Sequence, residues 1–140
     1  MGTITIAGTY GQTLNIEGPN TTVNIARNAA LLGNPAGILV NASALNVTIN
    51  INGFVSGPGG ALQAAGAGAR IHIGVAGELQ SQIGVALAGD DSTIVNDGTI
   101  NANNGYGIYD PGGFGNQLRN NGDINSAIGI VGTGDGGRII

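Results

Sequence analysis

The sequence predicts an all-β protein, a single-domain parallel β-helix (β-solenoid) of about five rungs, each of roughly 21–24 residues. Three observations predict this fold class. Glycine supplies 28 of the 140 residues while the apolar fraction is 41%, as in proteins built from short strands and tight turns. Apolar and polar residues alternate along the chain. The same residue types also return about one rung further on, which is the signature of a repeat architecture.

The alternation has a period of two. Residues 3–6, 45–51 and 70–75 each place aliphatic side chains at every second position. This spacing is typical of strands with one buried face. Gly, Asn, Asp and Pro interrupt the runs every few residues, as turns require. The best helical candidate, residues 28–32, is too short for more than a turn or two.

Four columns of similar residues keep the longer period. One is a motif of Gly, any residue and an aliphatic residue, which starts at Gly53, Gly77, Gly98 and Gly122. The other columns are Ile38, Leu62, Val85, Ile108 and Ile130; Val23, Val47 and Ile71; and Ile25, Ile49, Ile73, Ile94 and Leu118. Residues one period apart lie directly above one another in a stacked coil. The columns therefore favour a parallel coil over an antiparallel sandwich, which needs hairpins.

The chain divides into three parts within one domain, 1–140. Residues 1–20 match the repeat poorly, which predicts a partial first rung or an N-terminal cap. Residues 21–136 form the repeat rungs, and 137–140 begin an incomplete rung. We expect the uncapped end to expose unpaired backbone groups that a continuing chain or another subunit covers.

Two consecutive units in the second half carry a family resemblance. The first unit runs through Asn96, Gly98 and Ile100 to residues 105–109, and the second runs from 118 to 130. Over residues 92–136, and loosely back to residue 45, the pattern resembles the repeats of bacterial autotransporter passengers and adhesin-like β-helix proteins. The resemblance implies a right-handed parallel β-helix that is extracellular or on the cell surface. It also implies a role in adhesion or as a stalk.

Composition disfavours several partners and cofactors. The chain has no Cys and no Lys, and four Arg against eight acids give a net charge of −4. This charge disfavours nucleic acid. No apolar run approaches the ~18 residues of a membrane-spanning helix, so we expect no membrane insertion, and residues 1–6 do not resemble a signal peptide. We expect no cofactor and no metal site: Asp90–Asp91 is interpreted as a turn pair, and His72 as an isolated outward side chain. Residues 112–118 and 132–137 match the calcium-binding nonapeptide repeat too poorly to predict a metal site.

Two groups of side chains are candidates for a role beyond the core. Asn96 and Asn120, one repeat period apart, stand where earlier units have Ile51 and Val75. They predict an asparagine stack at a turn, the alternative being two separately solvated turn residues. Tyr106, Tyr109 and Phe114 could bind a protein partner or stack on a glycan. The alternative is a loop packed on itself.

The sequence leaves two main functional hypotheses from different classes, and a third in which the chain is a capping or trimerising piece of a phage fibre. The first is a non-catalytic structural or adhesive β-helix, with no catalytic residue, that forms homo-oligomers through strand edges or solenoid ends or binds a glycan or protein. The alternative is a small carbohydrate-active enzyme or polysaccharide-binding β-helix, because polysaccharide lyases use this kind of scaffold. Glu78, Thr99 and Asp123 share one outward column, and Asp97 lies beside it. Glu78, Asp97 and Asp123 would then supply the acid and the base.

Overall fold

The computed structural model describes residues 2–132 and 136–140, so residues 133–135 of the segment 132–137 lie outside the described residues. The chain winds through about six parallel turns, one more than expected, because residues 2–16 form a turn of their own. Its strands are β1 (Gly2–Ile6), β2 (Thr9–Tyr10), β3 (Leu14–Ile16), β4 (Thr21–Ile25), β5 (Ala30–Leu32), β6 (Ala36–Val40), β7 (Thr48–Ile51), β8 (Phe54–Ser56), β9 (Gly60–Ala64), β10 (Arg70–Ile73), β11 (Glu78–Leu87), β12 (Thr93–Asn96), β13 (Thr99–Asp110), β14 (Gln117–Asn120), β15 (Asp123–Gly132) and β16 (Arg138–Ile139).

The strands form two parallel sheets, which confirms the predicted β-solenoid. The first sheet has the order β1-β4-β7-β10-β12-β14-β16, so each strand pairs with those one turn before and after it. In the second sheet the first three turns each contribute two short strands, whereas β11, β13 and β15 each run through the whole side. The breaks before β6 and β9 contain Pro35 and Pro58. Proline has no N–H for the ladder and interrupts a strand at these corners.

The core is a column of aliphatic side chains between the sheets. Alternate residues of most strands point inward, and the large inward residues Ile49, Ile71 and Ile94 are at most 2% exposed. Burial of each such side chain contributes roughly 1.5–3 kcal/mol. Among the described residues, none of the buried core side chains is aromatic, and Tyr10 packs against the core only partly buried. The stability of the core therefore rests on regular stacking of Ile, Leu, Val and Ala.

Two predicted columns are confirmed, and two are wrong in part, although the step from Ile94 to Leu118 is confirmed. The Gly motif and the column from Ile38 to Ile130 follow the observed register. In the first sheet, however, Val23 pairs with Ile49, and Ile25 pairs with Ile51. Ile49 in turn pairs with Ile71. Val47 therefore does not belong to the column of Val23 and Ile71.

Unequal turn lengths explain this error. The step from Val23 to Ile49 is longer than the step from Ile49 to Ile71, whereas the sequence suggests two equal steps through Val47. A displacement of two residues keeps every side chain on the same face of the strand. Alternation alone therefore could not reveal that Ile49, two residues after Val47, occupies the column of Val23 and Ile71. The first turn is shorter still, since Ile4 already pairs with Val23.

Candidate functional site

Two of the three acids proposed for catalysis, Glu78 and Asp97, are hydrogen-bonded to side chains on neighbouring turns. Glu78, Thr99 and Asp123 pair in one column as expected, so Glu78 and Asp123 are two strand spacings apart, roughly 10 Å. The Glu78 carboxylate accepts a hydrogen bond from Asn101 Nδ2 at 2.9 Å. Asn125 Nδ2 in turn donates to Asn101 Oδ1 at 2.9 Å. This arrangement joins Glu78 to amides on neighbouring turns.

Asp97 has a different partner, which the sequence did not indicate. Asp97 Oδ2 lies 2.8 Å from His72 Nε2, and Asp97 Oδ1 accepts a hydrogen bond from Asn121 Nδ2 at 2.7 Å. The hydrogen bonds from Asn121 and His72 lower the pKa of Asp97, with a smaller contribution from the charge of Arg119. His72 is outward, as predicted, but it is not isolated. A separation of about one turn along the chain is the only sequence signal for this contact.

The lowered pKa of Asp97 predicts acid sensitivity. Its folded pKa lies below the unfolded value, so this carboxylate stabilises the fold above the ordinary aspartate pKa of about 3.9, and the contribution is lost as the pH falls through the lowered pKa. We expect Asp97→Asn to be less stable than the unmodified protein at about pH 5, and the difference to shrink at about pH 2. Urea unfolding across this range measures the effect. Asp123→Asn is the control, and identical pH profiles for Asp97→Asn and the unmodified protein would contradict the assignment.

Asn96 and Asn120 are brought together. Asn96 pairs with Asn120 in the register, and Asn96 Nδ2 donates to Asn120 Oδ1 at 2.7 Å. Asn96 is fully buried, and its Oδ1 accepts a hydrogen bond from the backbone N–H of Gly98 at 3.1 Å. The residue below it in the column is Ile73, rather than Val75. The pair therefore places a part-buried amide contact at the position of two aliphatic residues, and Asn96 also binds the backbone of the next corner.

The three aromatic residues separate into a pair and a single side chain. The rings of Tyr106 and Tyr109 stack with centroids 4.9 Å apart and an angle of 29° between their planes. Phe114 is 58% exposed and lies on the turn above Asp90, whose Oδ1 accepts a hydrogen bond from the Phe114 N–H. The hydrogen bond gives Asp90 a structural role at this turn. The aromatic candidate site is thus centred on the two tyrosines.

Tyr109 borders an apolar hollow on the outer face of the second sheet. The hollow has a volume of about 250 Å³. We call its main side chains the apolar flank: Leu39, Ile83, Ala86, Tyr109 and Pro111. The small Ala86 lies between Gln63 and Tyr109 in one column, which leaves the hollow open. None of the described residues that line the hollow is charged.

The flank continues toward the last turn. Ile83 pairs with Tyr106, and Tyr106 pairs with Ile128, which is 47% exposed. An exposed apolar surface of this kind on a protein surface marks an interaction site more often than an isolated exposed side chain does. Sequence reasoning found the tyrosines here. It missed Leu39, Ile83 and Ala86, because outward aliphatic residues on separate turns show no motif.

The described residues can also be compared with what a membrane-spanning helix and a metal site require. Among residues 2–132 and 136–140, no helix has the length and apolar character needed to cross a membrane. The same residues contain no group of three or more His, Cys, Asp or Glu side chains that could hold a metal ion. Asp90 and Asp91 form part of a turn, in which the backbone N–H of Asp91 donates to the Phe114 carbonyl at 2.8 Å.

Similarity to known proteins adds no further assignment. The β-solenoid fold agrees with the architecture that the autotransporter resemblance implies, while the resemblance itself stays a prediction. No protein-family model matches this sequence, and neither the curated proteins nor the solved structures contain a significant match to it.

Proposed function

We propose that this chain is a non-catalytic structural or adhesive β-solenoid that acts by association, with a second copy of itself as the partner of the apolar flank. The observation that supports this proposal is the charge-free apolar hollow at Leu39, Ile83 and Tyr109 on the outer face of the second sheet. Burial of such a surface is favourable in proportion to the apolar area removed from water. A cell-surface role, implied by the autotransporter resemblance, belongs to the same proposal.

The flank suits contact between identical copies. In a two-fold dimer the same patch meets itself, so it must be self-complementary. The chain carries a net charge of −4, yet the flank brings no like charges together. The stacked tyrosines offer large, rigid rings, and tyrosine is enriched at protein interfaces. Ile128, which is 47% exposed, extends the same surface to β15.

Ile83→Glu tests the association. We expect the unmodified protein to form an oligomer and this variant to weaken it by about tenfold or more, because the interface would bury an unpaired carboxylate. Light scattering behind a sizing column, across a concentration series, measures both. Val75→Glu is the matched control: Val75 is 87% exposed, lies between β10 and β11, and does not line the hollow.

Circular dichroism and thermal unfolding establish that both variants are folded. Tyr109→Ser provides a milder change at the same surface, should Ile83→Glu lower stability. A monomer at every concentration of the unmodified protein would overturn association. An oligomer that is equally sensitive to Val75→Glu, or insensitive to both variants, would place the contact elsewhere, such as the solenoid ends.

The alternative hypothesis, a small carbohydrate-active enzyme, rests on the shared column of Glu78 and Asp123. Their separation of roughly 10 Å is slightly beyond the ~6.5–9.5 Å of inverting glycosidases. Asp97 is engaged with His72 and Asn121. Release of reducing sugar from a polysaccharide, abolished by Glu78→Gln in a folded variant, would contradict the non-catalytic proposal.

A further inference from the structure

A second surface feature lies on the other half of the second sheet. It is a polar groove of about 610 Å³ on the outer face of β8, β11 and β13. We call it the amide notch, after its main side chains: Phe54, Pro58, Gln80, Gln82, Asn103 and Asn104. None of these was a candidate in the sequence. The notch shares no lining residue with the apolar flank.

Unequal corners create the notch. Between the pairs Ser81–Ala102 and Ile83–Tyr106, β11 has the single residue Gln82 where β13 has three, 103–105. On the preceding turn the corner between β8 and β9 also has three residues, 57–59. The single-residue corner at Gln82 therefore lies between the three-residue corners 57–59 and 103–105. These two longer corners are two strand spacings apart, roughly 10 Å. This gap has room for one extended chain.

The backbone holds the walls of the notch in place. A side chain at Gly105 would overlap the carbonyl group of Gln82, so the backbone of the long corner lies tightly against the short one. Asn104 has a φ of 58°, a left-handed conformation that Asn and Gly adopt most readily. On the floor, Ser81 Oγ accepts a hydrogen bond from the N–H of Ala61 at 3.0 Å and donates to the carbonyl of Ile83. Bulges of this kind are frequent beside binding sites.

The lining specifies the chemistry of a ligand. All the lining side chains are uncharged, so the notch offers no counter-charge to an acidic or basic ligand. Gln80, Gln82, Asn103 and Asn104 are exposed at its surface, and each amide can donate and accept hydrogen bonds. Phe54 is half-buried between two hollows and borders both. Amides beside an aromatic face match a molecule that carries many hydroxyl groups and an apolar C–H face.

We propose that the amide notch binds an uncharged oligosaccharide chain, with Phe54 packed against a sugar ring and the Gln82, Asn103 and Asn104 amides bonded to hydroxyl groups. The volume of the notch falls in the range of small-molecule sites, about 300–1,000 Å³. A peptide fits less well. Peptides that bind to sheets use a free strand edge, whereas β11 is paired with β8 and β9 on one side and β13 on the other. This proposal does not depend on the apolar flank, so either can fail alone.

The test is a titration of the full, isotope-labelled chain followed by NMR. The probes are neutral hexasaccharides of glucose, mannose, xylose and N-acetylglucosamine, with hexagalacturonate as the charged comparison. We expect at least one neutral probe to shift the side-chain amide signals of Gln82 and Asn104 with a Kd below about 1 mM. Hexagalacturonate should bind at least about tenfold more weakly.

Variants locate the site. Gln82→Ala combined with Asn104→Gly removes two amides, and glycine preserves the left-handed backbone at position 104. We expect this variant to weaken binding by about tenfold or more. The matched control, Gln12→Ala with Asn20→Gly, makes the same changes at exposed positions away from the notch, where Asn20 has a φ of 56°. It should bind as the unmodified protein does.

Several results would overturn the proposal. No saturable shift with any neutral probe at about 10 mM would exclude an uncharged glycan as the ligand. Equal binding of hexagalacturonate would overturn the selectivity for uncharged chains. Shifts that map to Tyr106 and Tyr109 would exclude the notch as its site. Equal loss of affinity in the two double variants, with both folded by circular dichroism, would exclude the assigned amides.

Discussion

Gly98→Ala is expected to destabilise the fold by about 3 kcal/mol, a large share of the ~5–15 kcal/mol that stabilises a typical domain. A methyl group at this position would overlap the carbonyl oxygens of Gly74 and Gly77 on the turn below. Those carbonyls cannot move freely. The Gly74 carbonyl accepts from the Gly77 N–H at 2.7 Å, and the Gly77 carbonyl accepts from the Thr99 N–H at 3.0 Å.

The same close approach explains the glycine of the repeat motif. At Gly53, Gly77 and Gly122, as at Gly98, an added side chain would overlap a backbone oxygen of the preceding turn. The requirement comes from the distance between turns, since none of the four glycines has a positive φ. Each motif glycine thus marks a corner where two turns are in backbone contact.

Urea unfolding measures the cost of Gly98→Ala. Gly112→Ala is the matched control, because nothing lies within 4 Å of a side chain added there, and we expect it to change stability by less than about 0.5 kcal/mol. A loss below about 0.5 kcal/mol for Gly98→Ala would contradict the stacking of corners that the structure shows.

Asn96→Ala should cost about 2–3 kcal/mol, the second largest effect. The substitution removes the acceptor of the buried Gly98 N–H and the donor to Asn120 Oδ1. It also removes a weaker hydrogen bond from Asn96 Nδ2 to the Asp123 carbonyl, at 3.3 Å. A buried N–H without an acceptor costs about 1–3 kcal/mol by itself.

A contrast between two asparagine stacks tests this effect. Asn125 also donates its side-chain amide to an asparagine one turn away, at 2.9 Å, but it is exposed. Water replaces the lost partner there, so Asn125→Ala should cost less than about 0.5 kcal/mol in urea unfolding. Equal costs for the two variants would show that burial does not set the strength of the stack.

The double variant Asn96→Ile with Asn120→Ile separates the contribution of the Asn96–Asn120 hydrogen bond from that of the hydrogen bond between Asn96 and the Gly98 N–H. Isoleucine restores the apolar column of Ile51 and Ile73, and removal of both amides leaves neither without its partner. The Gly98 N–H still loses its acceptor. We therefore expect the double variant to be more stable than Asn96→Ala but less stable than the unmodified protein. Full recovery in urea unfolding would contradict a net cost for the lost hydrogen bond to Gly98.

The sequence by itself determined the fold class and the faces of the strands. Alternation with a period of two decides which side chains point inward, and this parity survives a displacement of two residues. The column from Ile38 to Ile130 was found because its turns are nearly equal in length. Where the turns are unequal, as around Ile49, the pattern gave the right face with the wrong neighbour.

Only the tertiary structure decided which side chains meet between turns. The ladder hydrogen bonds set the register, and the register brings His72 to Asp97 and Asn96 to Asn120. The amide notch and the apolar flank depend on it as well. The notch is a difference in length between adjacent corners, and the flank joins Leu39 and Tyr109 from turns that are far apart in the sequence. Local sequence patterns contain neither, because both arise from stacking across turns and not from any segment alone.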